Sequence, residues 1–459
     1  MGATQVVVIG GGVAGYPAAL RAARLGAEVT LVEKDKIGGV CLNKGCIPTK
    51  VFLHTASIFK DFKRAPIFGI SAQNVEIDFN GLITRKKAVV ERLTKGVDSL
   101  LKNKKVKVIH GTASFIDSKK VKIQETEEVL SGDKFILAMG STPSQLSIPG
   151  SEKVPLLTSD DLLEIKSLPQ SLIIIGGGYI GVEFGQFFNR MGTKVAIIEM
   201  MDQLIPTEDQ EISQGLRNVL EKEGINIFTE ARVQKIKEEE LEKTVVFSTP
   251  TGEKELKSEM IAQTVGRKPY TEGMGLEKIG LGVEKGRIVV NEKMETNIPH
   301  IYAAGDVIGG IMLAHVAMAE GECAARNALG IPSSISNSAV PRCIYTSPEV
   351  ACVGLTEKQA LKKGEVQVSR FPFRAVGKAT LMEETEGMVK IVAGKKYGEI
   401  LGVHIIGPHA TDLIAEAVLA IEMEVTVEEL AHTIHPHPTL SEALGEAAML
   451  LSGGAMHLP

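Results

Sequence analysis

The chain has 459 residues, 44% of them apolar, and a net charge of -5 from 51 basic and 56 acidic side chains. At ~150 residues per domain this length predicts about three domains, and the near balance of charge leaves no basic footprint for nucleic acid. No apolar run approaches the ~18 residues of a membrane span, and the run Val6–Ile9 stops at three glycines, too short for a signal core; a soluble, cytoplasmic protein is expected.

The first element, an apolar strand over residues 5–9, opens a unit that recurs. Residues 5–33 read QVVVIGGGVAGYPAALRAARLGAEVTLVE, and residues 171–199 read SLIIIGGGYIGVEFGQFFNRMGTKVAIIE. Each runs strand, G-x-G-x-x-G, amphipathic helix, glycine, strand, glutamate, with the glutamate 23 residues after the first glycine. The first glycine (Gly10, Gly176) makes the tight turn, the second (Gly12, Gly178) lets a pyrophosphate approach the backbone, and the third (Gly15, Gly181) lets helix pack on strand. The helix N-terminus offers free N–H groups to phosphate, Pro17 is tolerated in the first turn, and Glu33 and Glu199 are expected to accept from ribose hydroxyls. Two complete copies predict two bound dinucleotides. Glu199 is followed by Met200, Met201 and Asp202 with no arginine nearby, so a 2′-phosphate would meet a carboxylate and no cation; NAD is expected there rather than NADP.

Between the repeats stands Gly38-Gly39-Val40-Cys41-Leu42-Asn43-Lys44-Gly45-Cys46-Ile47-Pro48-Thr49-Lys50. Five cysteines, an odd count, argue against a secreted disulfide framework. Two thiols five residues apart close a small ring only if the chain bends, which Gly45 and Pro48 favour, and a helix start lowers a thiol pKa. The alternatives are buried free cysteines or half a zinc site; zinc needs further ligands at spacing, and no metal is expected. Cys323, Cys343 and Cys352 read as small core residues.

That segment resembles the redox-active disulfide of the class I pyridine nucleotide–disulfide oxidoreductases, and the resemblance covers essentially the whole chain. It implies that Cys41 exchanges with the substrate sulfur, that Cys46 lies against the flavin of FAD, and that Lys50 sits near flavin N5 paired with Glu183. FAD would take the first glycine motif with Glu33, NAD the second with Glu199. Residues 296–306, TNIPHIYAAGD, resemble the second flavin segment, with Asp306 on the ribityl chain and Met312 and Ala314 in a following helix. Gly111 and Gly140 resemble further FAD contacts, although the family shows Thr where this chain has Met139. Val233 and Gly266 resemble outer NAD contacts. Arg267, in the family's G-R-x-P run, is not read as a 2′-phosphate clamp.

Residues 432–442 read HTIHPHPTLSE, with three of the ten histidines inside six residues. A histidine-rich loop alone suggests metal, but two histidines at i, i+2 make a poor zinc pair. The run resembles the H-x-H-P-T-x-S-E signature of dihydrolipoamide dehydrogenases, a branch of that family. His437 is then the acid–base group, since imidazole titrates near neutrality, and Glu442 its orienting partner. His435 is either a helper or a packing residue. In the family this histidine reaches the disulfide of the other subunit, which implies a homodimer, and a helix over 411–424 carries a wide apolar face.

The expected fold is α/β: two Rossmann-like dinucleotide-binding domains, for FAD and NAD, plus a C-terminal α+β dimerisation domain. The divisions are 1–143 (FAD, first part), 144–264 (NAD), 265–335 (FAD/central, second part) and 336–459 (interface). The resemblance implies oxidation of protein-bound dihydrolipoamide to lipoamide through the disulfide and FAD, with reduction of NAD+. The partner would be a lipoyl-bearing protein of a 2-oxoacid dehydrogenase complex or glycine cleavage system. The alternatives are a glutathione-reductase-like enzyme using NADPH, against which Glu199 and the histidine run speak, and a non-catalytic flavoprotein docking subunit, against which the thiols and His437 speak.

Overall fold

In a computed structural model, the strand Gln5–Ile9 lies between two parallel neighbours, Glu28–Glu33 and Lys134–Leu137. Residues 2–71, 73–239 and 242–458 are described; Met1, Ala72, Glu240, Leu241 and Pro459 lie outside them. Strands Lys107–His110 and Ile301–Ala303 complete this first sheet of five, in the order 301–303, 134–137, 5–9, 28–33, 107–110. Val6, Val7, Val8 and Ile9 are all buried, as a strand covered on both faces requires. The crossover helix Gly15–Arg24 turns Ala18, Ala19 and Ala22 inward, small side chains that bring it close to the sheet.

The second repeat builds a second parallel sheet of four strands, in the order Asn226–Phe228, Lys194–Ile198, Ser171–Ile175, Met260–Gln263. Its helix Tyr179–Arg190 packs on the long helix Cys46–Arg64, where Phe52 and Phe187 stack with ring centres 4.7 Å apart. Both rings are fully buried, each contributing about 1.5–3 kcal/mol. This contact ties the cysteine helix of the first unit to the nucleotide helix of the second. The chain passes between the units twice, along Ser141–Pro143 and back along Arg267–Pro269, and these segments pair antiparallel.

A third sheet is antiparallel, in the order Arg342–Ile344, Glu349–Gly354, Ile400–Gly407, Met388–Gly394, Val366–Pro372. The helices Ala410–Glu422 and Glu442–Ser452 belong to this region and bury alanine-rich faces. The first of them starts and ends slightly before the expected 411–424. It buries Ala410, Ile414, Ala417 and Ala420, while Leu419 and Met423 stay exposed; its apolar surface thus faces two ways. Among the described residues no helix is long and apolar enough to cross a membrane.

Candidate active site

The two glycine turns are built alike. Gly10 and Gly176 have φ of 102° and 110°, and an added Cβ would fall 2.2 Å from Ala138 O and 2.6 Å from Thr264 O. Such φ values favour glycine. A Cβ on Gly15 would lie 1.7 Å from Gly10 O, and one on Gly181 2.0 Å from Gly176 O, so helix and strand touch at the third glycine of each turn. The second glycines are open: a Cβ on Gly178 meets nothing within 4 Å, and one on Gly12 only Gly39 Cα at 3.7 Å. These are places where a phosphate can come against main chain.

Each glutamate closes its own turn. Glu33 accepts from Gly11 N at 2.6 Å and Asp35 N at 2.7 Å; Glu199 accepts from Gly177 N at 2.6 Å and Met201 N at 2.7 Å. Gly111 N donates to Glu33 O at 2.9 Å. Gly140, Asp306, Met312, Ala314, Val233 and Gly266 all line the same cavity as the glycine turns, a space of about 1220 Å³. A single small ligand fills ~300–1,000 Å³, so the volume, the bare main chain and the polar ends fit a dinucleotide against each turn.

Cys41 lies in the short helix Gly39–Lys44, and Cys46 opens the helix Cys46–Arg64 after Gly45. Their thiols hydrogen-bond to each other. Donation from Cys41 lowers the Cys46 thiol to about 7, with Lys50 helping against the cost of burial; the same bond and burial push Cys41 well up. The hydrogen bond and the Lys50 ammonium thus favour the charged form of Cys46. One turn along, Lys50 Nζ lies 2.9 Å and 3.1 Å from the two oxygens of buried Glu183, which also accepts from Tyr345 N at 2.9 Å. Lys50 Nζ stands 4.4 Å from the centre of the Tyr345 ring. Cys41, Cys46, Lys50 and Glu183 thus meet in the cavity between the two turns.

Two details differ from expectation. Met312 is not in a helix: the helix starts at Ala314, and Met312 precedes its cap, Leu313, whose extended φ of -120° places it outside. Cys343 is not a core residue; it is half-buried and lines the cavity, because its strand is the edge of the third sheet. Ser141, two positions after Met139, donates to Asp306 and accepts from Arg267 Nε at 2.8 Å. Arg267 Nη2 also donates to Ser141 O at 2.9 Å, so the guanidinium is engaged at the strand crossing. Ser141, Tyr179 and Tyr345 line the cavity and were not singled out from the sequence; Ser141 follows Gly140 directly, the one local signal available for it.

His437 Nδ1 lies 2.8 Å from Glu442 Oε1, and Glu442 Oε2 accepts from Thr439 N at 2.8 Å. Burial pushes the Glu442 carboxyl up, but the bonds from His437 and Thr439 outweigh it and hold the group below its ordinary value. The His437 side chain is 75% exposed and does not line the cavity; within one chain this pair stands apart from the thiols. The His435 side chain is only 8% exposed. Its Nε2 lies 2.9 Å from Glu416 Oε1 and its Nδ1 3.0 Å from Thr433 O. Two acceptors call for two N–H groups, hence an imidazolium, and Glu416 raises its pKa accordingly. Both ring nitrogens are engaged within the chain, so His435 has the contacts of a packing residue. Among the described residues no group of three or more His, Cys, Asp or Glu side chains could hold a metal ion.

Residues 4–321 match the pyridine nucleotide-disulphide oxidoreductase family, and residues 340–448 its dimerisation domain. The chain belongs to this family. A dihydrolipoyl dehydrogenase of Bacillus subtilis is 42% identical over 98% of this chain and 99% of its own. One of Thermus scotoductus is 43% identical over 99% and 98%. Among solved structures, LpdA from Mycobacterium tuberculosis superposes with a TM-score of 0.88 at 29% identity, over 98% of this chain and 99% of that one. The HOCl-induced flavoprotein disulfide reductase RclA of Escherichia coli does so with 0.87 at 29%, over 97% and 100%. As a pyridine nucleotide-disulphide oxidoreductase the chain uses FAD and NAD, the two groups its paired glycine turns fit.

Proposed function

We propose that the chain is a dihydrolipoyl dehydrogenase, oxidising dihydrolipoamide to lipoamide and reducing NAD+. The observation that carries this reading is the Cys41–Cys46 pair beside Lys50–Glu183, set in one cavity between two dinucleotide turns. Full-length relatives bearing that activity support it, and the Glu199 carboxylate, followed in sequence by Met200, Met201 and Asp202, supports NAD.

The chain's own residues suit the chemistry. His437 of the partner subunit takes a proton from one substrate thiol, and Glu442 holds its Nδ1–H so that Nε2 is the base. The substrate thiolate attacks Sγ of Cys41 in the Cys41–Cys46 disulfide; that S–S bond breaks and Cys46 leaves as thiolate. The second substrate thiol then attacks the mixed disulfide, closing the lipoamide ring and releasing Cys41, whose sulfur takes that thiol's proton. The Lys50 ammonium favours charge on Cys46. Bound FAD supplies the two-electron acceptor between this dithiol and NAD+.

In this reading residues 1–143 and 265–335 hold FAD, 144–264 hold NAD, and 336–459 form the interface of a homodimer. Exposed Ile434, Leu419 and Met423 and the exposure of His437 support a partner subunit there. The substrate is a lipoyl group borne by another protein, of a 2-oxoacid dehydrogenase complex or glycine cleavage system, and the setting is the cytoplasm. The experiment is anaerobic mixing with dihydrolipoamide. The wild type should bleach its flavin band and pass electrons to NAD+ in preference to NADP+, and Cys46→Ser should do neither. Turnover with glutathione and NADPH but not with dihydrolipoamide would overturn the proposal.

A further inference from the structure

Tyr179 follows Gly178 at the start of the second nucleotide helix, where the first repeat has Val13. The adenosine end of that site is marked by Glu199. The cavity continues along the helix toward Glu183 and Lys50, so Tyr179 would stand between the phosphates and the nicotinamide of a bound NAD. Its ring lines the cavity, but its hydroxyl turns away. It donates to Glu208 Oε1 and lies 3.1 Å from Thr207 Oγ1. Burial first, and then the Glu208 charge, push the phenol pKa up, so the hydroxyl remains a donor.

Glu208 is 4% exposed. A carboxylate this buried is costly unless paired. Its pair comes from the third sheet: Arg342 Nε lies 3.0 Å from both Glu208 oxygens. The next residue repeats the attachment, with Asp209 accepting from Lys390 Nζ at 2.8 Å and Glu357 N at 3.2 Å. The loop after Glu199 is thus anchored on the interface region, and Tyr179 is anchored on the loop.

We infer that Glu208 and Arg342 are positioning residues for the nicotinamide half-reaction, acting by holding the Tyr179 ring at the NAD side of the cavity. The inference rests on the function proposed above. It assigns an arginine of the interface region to the nucleotide step, far in sequence from either glycine motif. The latch has no counterpart at Val13, so it leaves the flavin side alone. Reduction of the enzyme by dihydrolipoamide uses the opposite side of the cavity and is independent of it.

The test is rapid mixing of Tyr179→Phe, Glu208→Gln and the double variant, as holoenzymes, reading the two half-reactions separately. Tyr179→Phe keeps the ring and removes only the hydroxyl. Each single variant should weaken NAD+ use, through KM or the rate of flavin reoxidation, by on the order of tenfold, while flavin reduction by dihydrolipoamide is unchanged. The double variant should be no worse than the worse single one, because both cut one chain of contacts. Equal losses in both half-reactions, no loss in either, or additive losses would overturn the inference. If Glu208→Gln yields no holoenzyme, Tyr179→Phe alone decides. If wild-type flavin is not reduced by dihydrolipoamide at all, the proposed function falls, and the latch is still read from flavin reduction by NADH.

Discussion

The two glycine turns share a motif, a glutamate closure and nearly the same distances, yet their surroundings differ. The first is roofed. Helix Ala314–Ala328 presses on it so closely that a Cβ on Gly321 would lie 2.1 Å from Ala14 O, and one on Gly305 2.9 Å from Ala14 Cβ. Segments from four distant parts of the chain, at Gly39, Gly111, Ser141 and Asp306, complete that half of the cavity. The second turn is covered by other elements: a Cβ on Gly177 would lie 2.5 Å from Leu204 Cδ2, and Tyr179 is held from the side by Glu208, itself bonded to Arg342. One local motif therefore sits in two settings, and the difference lies in what the rest of the chain lays over it.

Gly15→Ala should break the first half most severely. The new Cβ would sit 1.7 Å from Gly10 O, an overlap expected to cost about 3 kcal/mol or more. The purified protein should be colourless or insoluble; a yellow protein with full flavin content would mean that the helix can retreat. Gly178→Ala comes next. It meets no protein atom, so fold and colour should survive while the KM for NAD+ rises by on the order of tenfold. Glu199→Ser should then narrow the preference for NADH over NADPH by roughly tenfold, a repulsion of about 1.4 kcal/mol removed, read from kcat/KM for the two nucleotides.

On the enclosed side, a long-wavelength thiolate–flavin absorption in the two-electron-reduced enzyme should grow as pH rises through about 7, the value to which Cys41 and Lys50 bring the Cys46 thiol. An increase only near the ordinary value of 9.0 would remove that influence. The smallest effect is expected where the NAD half meets the third sheet. Hydrogen bonds from Arg370, then Lys390, against the opposing effect of burial, lower the Glu211 carboxyl from 4.5 to about 2. A depressed carboxyl contributes stability above its ordinary value and loses it as pH falls, here from 4.5 toward 2. Glu211→Gln should lower Tm at neutral pH by no more than about 2 °C, because Glu211 and Arg370 are 38% and 41% exposed and buried Lys390 keeps Asp209 and Glu357 as partners. The gap from wild type should close below pH 4.5 in thermal melts; a gap that persists in acid would assign the effect to packing instead.

Much of the site was legible because its rules are local. A turn that needs left-handed φ at Gly10 and helix–strand contact at Gly15 admits few other residues, so it announces itself in the string. The cysteine segment is equally local, with Gly45 and the helix start at Cys46 side by side. His437 and Glu442 lie five residues apart, and one loop brings them together. Lys50 and Glu183 are 133 residues apart, and only their places in two known motifs linked them. Cys343 was misread, since nothing in Arg342–Ile344 says that the strand is an edge facing a cavity. Ser141 was passed over because only its place directly after Gly140 marks it in the string.

The sequence by itself determined the two strand–glycine–helix units and the preference for NAD, which rest on backbone sterics and on charge within a short stretch of chain; the cysteine pair and the histidine–glutamate pair came from the resemblance of two short motifs. Only the tertiary structure decided what covers each turn, that His435 spends both ring nitrogens within its own chain, and that Arg342 of the third sheet reaches Glu208 of the second nucleotide unit. Those outcomes depend on which buried charges find partners across sheets far apart in sequence. No local rule states that pairing before the chain has folded.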